Sequence, residues 1–510
     1  MAVVTECNGA RPVDSRDRDW ASISFKLGLC ATTLMFLGSF GGGSLQKRGS
    51  ALEWFGLEFL SFGHGAALSN VTLWVGTTTL VIAWLLLGKA HADVAVVRRI
   101  VPWWLAPLAA AAPMMSRDVY SYLMQGSLLR DGFDAYTQGP SANPNAILFE
   151  VSHDWRNTTT PYGPLHLWIG EGVTRVVGDN VLAGTYVFKL ISLLGFAAII
   201  WAVPKIAQQL GADPGFALWL GVANPVMIIH MVGGMHNESV MVGLVSIGLW
   251  LALRSRNGGE FFFGIALIAV AMSLKATAAF CLPFVVWIWV NKAPTPAQKW
   301  VAFFVAAIGG AVLTVAIVAL ITSVSGASWG WIAALTGNTK VINPLSFPSF
   351  VAGHIANFGK IFFNPFPFND VVAVTRKLSM LVMAGGFVAC WWFFRSRPII
   401  GTTVMYMVMF TFNAVTLPWY YASVLSLVGT FSSSRYVKQF VVAASVVVAL
   451  AFTGSGNHQL YNPLWMATFT LIGWVGARWL FPRPTSGTEL AEHSSGAQPR
   501  LLSITCENWG

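Results

Sequence analysis

The chain has 510 residues, of which 55% are hydrophobic and only 10% are charged. A typical soluble domain is about 25% charged, so this composition excludes one large soluble enzyme, a disordered protein and a nucleic-acid-binding module. Long apolar runs recur between residues 22 and 481, which predicts an all-α, polytopic integral membrane protein. The net charge of +10 comes largely from basic residues between these runs, where they act as topology signals.

Fourteen apolar runs follow one another along the chain, and several are shorter than a full membrane span. We therefore expect a helical bundle of about 13–14 transmembrane helices, some of them broken. The bundle forms one transmembrane domain over 22–482, between a cytoplasmic N-terminal segment (1–21) and a disordered cytoplasmic tail (483–510). The runs lie near 22–41, 67–88, 100–115, 182–203, 214–231, 240–253, 262–274, 277–291, 299–322, 371–394, 399–412, 419–431, 437–453 and 462–481.

The lysines and arginines of the short loops all fall on the cytoplasmic side if the segment 161–178 does not span the membrane. That segment carries Glu171 and Arg175 four residues apart. A basic group at the bilayer centre costs roughly 2.5–3.5 kcal/mol on insertion scales. We therefore expect an interfacial amphipathic helix within one large external loop, 116–180. A second external loop is expected at 323–370.

The strongest polar cluster, SRDVYSYLMQG, begins where the third apolar run ends. If residues 118–130 are helical, Asp118, Tyr122 and Gln125 share one face, with Arg117 beside them. A carboxylate at the membrane boundary with such neighbours suits binding and deprotonation of a sugar hydroxyl. The alternative is that the serine and aspartate of this segment only cap an interfacial helix.

Two further external turns carry polar side chains. PYGPL places Tyr162 in a rigid turn, which either joins a site or simply starts the surface helix. The turn GGMHNES holds His236, Asn237 and Glu238 between two apolar helices. These three residues form either a solvated turn or a group that recognises hydroxyls, with the Glu238 carboxylate assisting.

Lys275 interrupts an otherwise apolar stretch at the external end of a helical hairpin. It either extends its charged end to the lipid headgroups or meets an anion such as a lipid-linked phosphate. Trp419 and Tyr420, in the turn PWYY, either anchor the chain at the interface or stack against sugar rings. Together, the polar residues are the parts needed to use a lipid-phosphate donor at the outer face.

The sequence offers little support for a metal site. The five cysteines are far apart with no CxxC pair, and no HxxH or HExxH spacing occurs. Asp154 and His458 are scattered along the chain. The pattern predicts neither a disulfide framework nor a protein metal cage. We expect no cofactor, and dependence on a divalent metal ion is left open.

The segments SRDVYSYLMQG, GFDAYTQGP and TPYGPL together resemble the polyprenol-phosphomannose-dependent α-1,6-mannopyranosyltransferases of the actinobacterial cell envelope. Those enzymes elongate the mannan backbone of lipomannan and lipoarabinomannan. The resemblance continues through VANPVMIIHMVGGMHNESV, SLKATAAFCLPF and LPWYY, and so covers most of the membrane region. It implies the GT-C glycosyltransferase fold, with the active site on the extracytoplasmic side of the plasma membrane.

The resemblance also implies roles for single residues. Asp118 would be the general base that deprotonates the acceptor 6-hydroxyl for attack on C1 of polyprenyl phosphomannose, with inversion. Lys275 would meet the donor phosphate, and His236 with its neighbours would belong to the sugar pocket. The expected partners are this donor, a lipid-anchored mannan acceptor and membrane lipids, but not nucleic acid. A lipid-linked sugar transporter or flippase is the alternative, and would carry its critical charges at midplane with inverted repeats.

Overall fold

The computed structural model describes residues 15–337, 342–363 and 365–483. Within these ranges the chain is mainly α-helical, and its β pairing is one isolated antiparallel bridge between Phe452 and His458. The first ten helices are α1 (Ser15–Gly42), α2 (Ala51–Phe55), α3 (Gly63–Lys89), α4 (Val94–Ala110), α5 (Asp118–Arg130), α6 (Pro164–Val177), α7 (Val181–Gln209), α8 (Pro214–Ala217), α9 (Pro225–Met227) and α10 (Glu238–Arg254). The others are α11 (Gly258–Leu274), α12 (Leu282–Val290), α13 (Pro296–Ser325), α14 (Trp331–Gly337), α15 (Phe347–Gly359), α16 (Phe368–Phe393), α17 (Pro398–Phe412), α18 (Ala422–Val428), α19 (Arg435–Leu450) and α20 (Pro463–Leu480).

Every apolar run expected to form a span overlaps helical structure. Among the described residues, five helices are long and apolar enough to cross a membrane by length and composition: α1, α3, α7, α13 and α16. The pair Pro214–Val222 and Pro225–Gly233, which is bent by 52°, counts as a sixth span if its two halves cross the membrane as one. By these criteria there are fewer complete spans than the 13–14 expected, because the remaining apolar helices are short. The architecture is that of a polytopic helical membrane protein.

The bend in the sixth span has a local cause. Pro225 lacks an N–H group, and Asn224 before it caps the second half of the span through Val226 N–H. The Asn224 amide also donates to Ser445 Oγ on α19 (2.8 Å). At the far end of this half, Lys189 from α7 donates to the carbonyl of Val232 (2.9 Å), so a terminal carbonyl is satisfied. The broken span is therefore fixed at both ends.

Helix α6 confirms the helix expected over 161–178, and α5 shows that residues 118–130 are helical, the condition under which Asp118, Tyr122 and Gln125 share a face. The two helices pack closely because both contact positions are glycine: a Cβ at Gly126 would lie 2.1 Å from the carbonyl carbon of Gly170. On the other side of α6, Arg175 and Glu171 form the ion pair that their i, i+4 spacing suggests (2.7 Å). The location of α6 at the membrane interface stays a prediction.

The boundaries of the expected domain shift slightly. Helix α1 already includes Ser15, the first described residue, so the expected N-terminal segment 1–21 overlaps the first helix. The expected loop 323–370 contains the helices α14 and α15. The tail expected to be disordered lies outside the described residues from position 484 onward.

Candidate active site

Asp118 is the first residue of α5 and lines a cavity of about 780 Å³. Its backbone N–H donates to Ser116 Oγ (3.1 Å). The N-cap residue of α5 is Arg117, and its side chain forms no capping hydrogen bond. The Asp118 side chain is 17% exposed. Ser116 therefore bonds the first N–H of α5, as the capping alternative expects, whereas the Asp118 side chain forms no cap and its carboxylate is available to a molecule in the cavity.

His236 faces the Asp118 carboxylate. Its Nδ1 lies 3.5 Å from Oδ2 of Asp118 and 3.4 Å from the hydroxyl of Tyr122. The imidazole is fully buried and stacks on the indole of Trp419, with ring centroids 3.6 Å apart and planes within 15°. The expectation of a solvated turn at His236 is therefore wrong. Trp419 is buried too, so it is not an interface anchor.

The backbone before each of these two residues is held in an uncommon conformation. Met115 has φ +63° and Met235 has φ +55°, in the left-handed region that non-glycine residues seldom adopt. Such positions cost about 1–3 kcal/mol each and cluster at functional sites. Met115 is held by a bond from its N–H to the carbonyl of Gly454 (2.7 Å). The strain supports a functional site at Asp118 and His236.

Lys275 and Glu238 form a buried ion pair. The ammonium donates to a carboxylate oxygen of Glu238, and the two side chains are 8% and 1% exposed. It also lies 4.2 Å from the ring centroid of Tyr420 and 5.3 Å from that of Tyr162. The expectation that Lys275 extends to the headgroups is therefore wrong, because its charge meets a carboxylate of the same chain.

Gly163 explains how Tyr162 reaches this pair. It caps α6, and its N–H donates to the carbonyl of Leu274 (3.1 Å), next to Lys275. A Cβ at Gly163 would lie 2.2 Å from the carbonyl oxygen of Ser273, so only glycine allows this approach. The PYGPL turn therefore starts the helix and also places Tyr162 at the Lys275 ammonium.

The sequence analysis missed His166, which joins Gln125 to Asn237. The Asn237 side-chain amide donates to His166 Nδ1 (3.2 Å), and His166 Nε2 lies 3.1 Å from Gln125 Oε1. This pattern requires the neutral ring with its proton on Nε2. Burial, followed by the charge of Lys275, lowers the pKa of His166 to about 3. The available signal was its position four residues after Tyr162, on the same face of a predicted helix.

His166 should make the fold sensitive to acid. The unfolded chain binds a proton at this ring below pH about 6.5, whereas the folded chain resists it down to about pH 3, so stability falls as the pH drops through this window. We expect the parent to lose up to about 1.4 kcal/mol per pH unit from this residue, and His166→Gln to lose less. Denaturant unfolding of the purified protein between pH 7 and 5 measures the difference. Parallel pH dependences would contradict it.

Arg117 lines the cavity, but its guanidinium is already bound to protein. It donates to the backbone carbonyls of Glu150 (2.7 Å) and Leu45 (2.7 Å), and it pairs with the Glu150 carboxylate at 3.1 Å. Glu150 in turn accepts from the backbone N–H of Lys47 (2.8 Å). The sequence analysis missed Glu150. Its bonds show that Arg117 ties the segment before Asp118 to two loops, and a contact to substrate stays a prediction.

The structure gathers all the expected site residues around Asp118. Arg117 and Trp419 line the cavity with Asp118. His236 contacts both the Asp118 carboxylate and the Tyr122 hydroxyl. Gln125 and Asn237 both contact His166. Tyr162, Glu238 and Tyr420 surround Lys275.

Polar residues from distant parts of the chain also line this cavity. Asp154 and His458, which are scattered in the sequence, both line it. Among the described residues, no group of three or more His, Cys, Asp or Glu side chains is arranged to hold a metal ion.

Comparison with known proteins gives two family matches. Residues 25–291 match the N-terminal domain of alpha-(1->6)-mannopyranosyltransferases, and residues 350–481 match the MptB C-terminal domain. The chain belongs to the alpha-(1->6)-mannopyranosyltransferase family. The resemblance seen in the sequence is thus confirmed, and the protein is a glycosyltransferase whose helical membrane fold agrees with the GT-C type.

Individual relatives cover nearly the whole length. The chain is 52% identical to alpha-(1->6)-mannopyranosyltransferase A of Corynebacterium glutamicum, over 91% of this chain and 99% of that protein. It is 38% identical to the Mycobacterium tuberculosis protein of the same name, over 87% of each. Identity to alpha-(1->6)-mannopyranosyltransferase B of C. glutamicum is 26%, over 93% of this chain and 85% of that protein.

Both matched regions of this mannopyranosyltransferase contribute to the site. Asp118, His236 and Lys275 lie in the N-terminal match, whereas Trp419 and His458 lie in the C-terminal match. The stacking of His236 on Trp419 joins the two regions directly beside the Asp118 carboxylate.

Proposed function

We propose that the protein transfers mannose from polyprenyl phosphomannose to the 6-hydroxyl of an α-1,6-linked, lipid-anchored mannan at the outer face of the plasma membrane. The observation that carries the proposal is the Asp118 carboxylate, partly exposed in a cavity of about 780 Å³ and 3.5 Å from the buried ring of His236. The names of the relatives support α-1,6-mannosyl transfer. The apolar helices support a donor that is itself dissolved in the bilayer.

In the proposed reaction, Asp118 accepts the proton of the acceptor 6-hydroxyl as its oxygen forms a bond to C1 of the donor mannose. The bond between C1 and the phosphate oxygen breaks, and polyprenyl phosphate leaves with the electron pair. Attack opposite the leaving group converts a β-linked donor into an α-linked product. A positioned base contributes about 10²–10⁴-fold to such a step.

The neighbours of Asp118 would hold the base and the donor. His236 is fixed by its stacking on Trp419, so it can orient the Asp118 carboxylate. We place the donor phosphate on the Lys275 side, where the ammonium would share its charge between Glu238 and the phosphate. The hydroxyl-bearing rings of Tyr162 and Tyr420 lie against this ammonium. Holding both substrates in line can supply up to roughly 7–11 kcal/mol in ideal cases.

An assay with purified protein in lipid vesicles tests the function. With polyprenyl phosphomannose and a short α-1,6-mannoside, we expect a product one mannose longer, whose new linkage is α-1,6 by NMR. A β-linkage would contradict inversion, and attachment at another hydroxyl would contradict the assigned acceptor position. Movement of the donor across the vesicle membrane without product would instead support the transporter alternative.

A further inference from the structure

We infer that the cavity beside Asp118 continues into an acceptor subsite formed by two polar turns, 152–155 and 455–458, which binds the neutral mannose units that precede the reacting one. This inference rests on the proposed function, because it states where the acceptor of that reaction lies. Nothing in the family matches assigns a role to either turn.

The two turns meet although they are far apart in the chain. Asp154 and Trp155 belong to a 3-10 helical turn in the long loop between α5 and α6, and Asn457 and His458 belong to the loop between α19 and α20. All four residues line the same cavity as Asp118. Its volume of about 780 Å³ is toward the upper end of the roughly 300–1,000 Å³ of ligand pockets, which leaves room for more than one sugar.

The second turn is held rigidly against the segment that carries the base. The N–H of Thr453, just before the turn, donates to the carbonyl of Asn457 (2.8 Å). Outside it, the N–H of Met115 donates to the carbonyl of Gly454 (2.7 Å). Gly456 has φ +95°, and a Cβ there would lie 2.8 Å from the carbonyl oxygen of Met115. The turn therefore keeps a fixed distance to Asp118.

The charges of the cavity favour a neutral polyol over a phosphate. Arg117 is already compensated by Glu150, so the cavity is left with two carboxylates: Asp118, which faces the His236 ring at 3.5 Å, and Asp154. No described residue forms a hydrogen bond to the Asp154 side-chain carboxylate, which is exposed. Ionised carboxylates only accept hydrogen bonds, so they suit sugar hydroxyls and repel a phosphate.

Two further features match a sugar. Asn457 is exposed, and its amide makes one long contact to Ser455 Oγ (3.4 Å), so its carbonyl oxygen can accept from a hydroxyl. Trp419 lines the cavity while buried, and its indole N–H has no hydrogen-bond partner within the described part of the chain. An unsatisfied buried donor is uncommon and calls for a partner. Trp155 adds an aromatic surface for the sugar ring.

Acceptor length gives a sharp test. The reacting mannose lies at Asp118, so Asp154→Asn and Asn457→Ala should raise the KM for an α-1,6-linked mannobiose more than the KM for methyl α-mannoside. Loss of one hydrogen bond predicts about a three- to tenfold rise, with the donor KM at the parental value. Asn157→Ala is the matched control, since Asn157 lies in the same loop and bonds Ser141 instead of lining the cavity. This control should keep the parental acceptor KM.

Binding without turnover separates the two proposals. Saturation-transfer NMR with mannotriose should detect contact with the parent and loss of that contact in the Asp154→Asn/Asn457→Ala double variant. Parental acceptor KM values in the variants of an active enzyme would overturn the subsite and leave the proposed function intact. If the parent transfers no mannose, the proposed function fails, and mannotriose binding then decides the subsite: binding that the double variant loses supports it, and no binding by the parent overturns it.

Discussion

Asp118→Asn is expected to reduce mannosyl transfer by about 10²–10⁴-fold, to the limit of detection, while the protein still folds. The asparagine amide keeps the shape of the side chain but cannot accept the proton of the attacking hydroxyl. Folding should be spared because the Asp118 carboxylate takes part in no helix cap, and the ring that faces it, His236, lies 3.5 Å away. Product formation by purified protein, at matched expression and melting temperature, measures the effect.

Asp93→Asn makes the same chemical change at another helix start. Asp93 caps α4 by accepting from the N–H of Val96 (2.8 Å), and asparagine caps about as well as aspartate. This control should retain both the stability and the turnover of the parent. Near-parental turnover in folded Asp118→Asn would remove Asp118 from the role of base.

Lys275→Met and Glu238→Gln should each destabilise the fold, by about 3–5 kcal/mol, because either change leaves one buried charge without its partner. The sequence alone suggests a weaker effect for Lys275, confined to use of the donor. The structure changes that expectation, since Lys275 and Glu238 are bonded to each other and almost wholly buried. The double variant Lys275→Met/Glu238→Gln should recover most of the stability, because no uncompensated charge remains. Thermal unfolding in detergent compares the three variants.

The pair of Glu171 and Arg175 is the matched control. The Arg175 side chain is 63% exposed and that of Glu171 13%, so Arg175 turns to solvent when its partner is lost, and Glu171→Gln should cost only about 0–1 kcal/mol. A stable Lys275→Met variant that loses only donor affinity would show that the ammonium serves the phosphate. If the double variant is as stable as the parent but has a higher KM for the donor, this would support the proposed location of the donor phosphate near Lys275.

Local sequence patterns were sufficient for the helices and for the position of Asp118 beside Tyr122. Apolar runs locate the helices, because burial in lipid requires continuous apolar segments. The i, i+4 spacing of Asp118 and Tyr122 places both on one face of a helix, and the structure brings both to His236. The charges at 171 and 175 predict that α6 does not span the membrane. These features depend on neighbours within about two helical turns.

The remaining parts of the site depend on packing between distant segments. The partner of Lys275 is 37 residues away, and it could be identified only once α10 and α11 are placed side by side. His166 has an ordinary position on an amphipathic helix, and its role follows from the two amides that meet it. Asp154 and His458 share a cavity because loops at opposite ends of the sequence converge. Hydrophobic periodicity in the sequence does not predict such contacts between distant segments.

The hydrogen bond between Met115 and Gly454 has a consequence for biosynthesis. The segment that presents the Asp118 carboxylate is made early on the ribosome, whereas the loop that supports it emerges near the end of translation. A nascent chain that has not yet reached Thr453 already contains Asp118 but lacks one wall of the pocket. The enzyme should therefore become competent only after the last helices have been inserted, which prevents partly assembled molecules from consuming activated sugar.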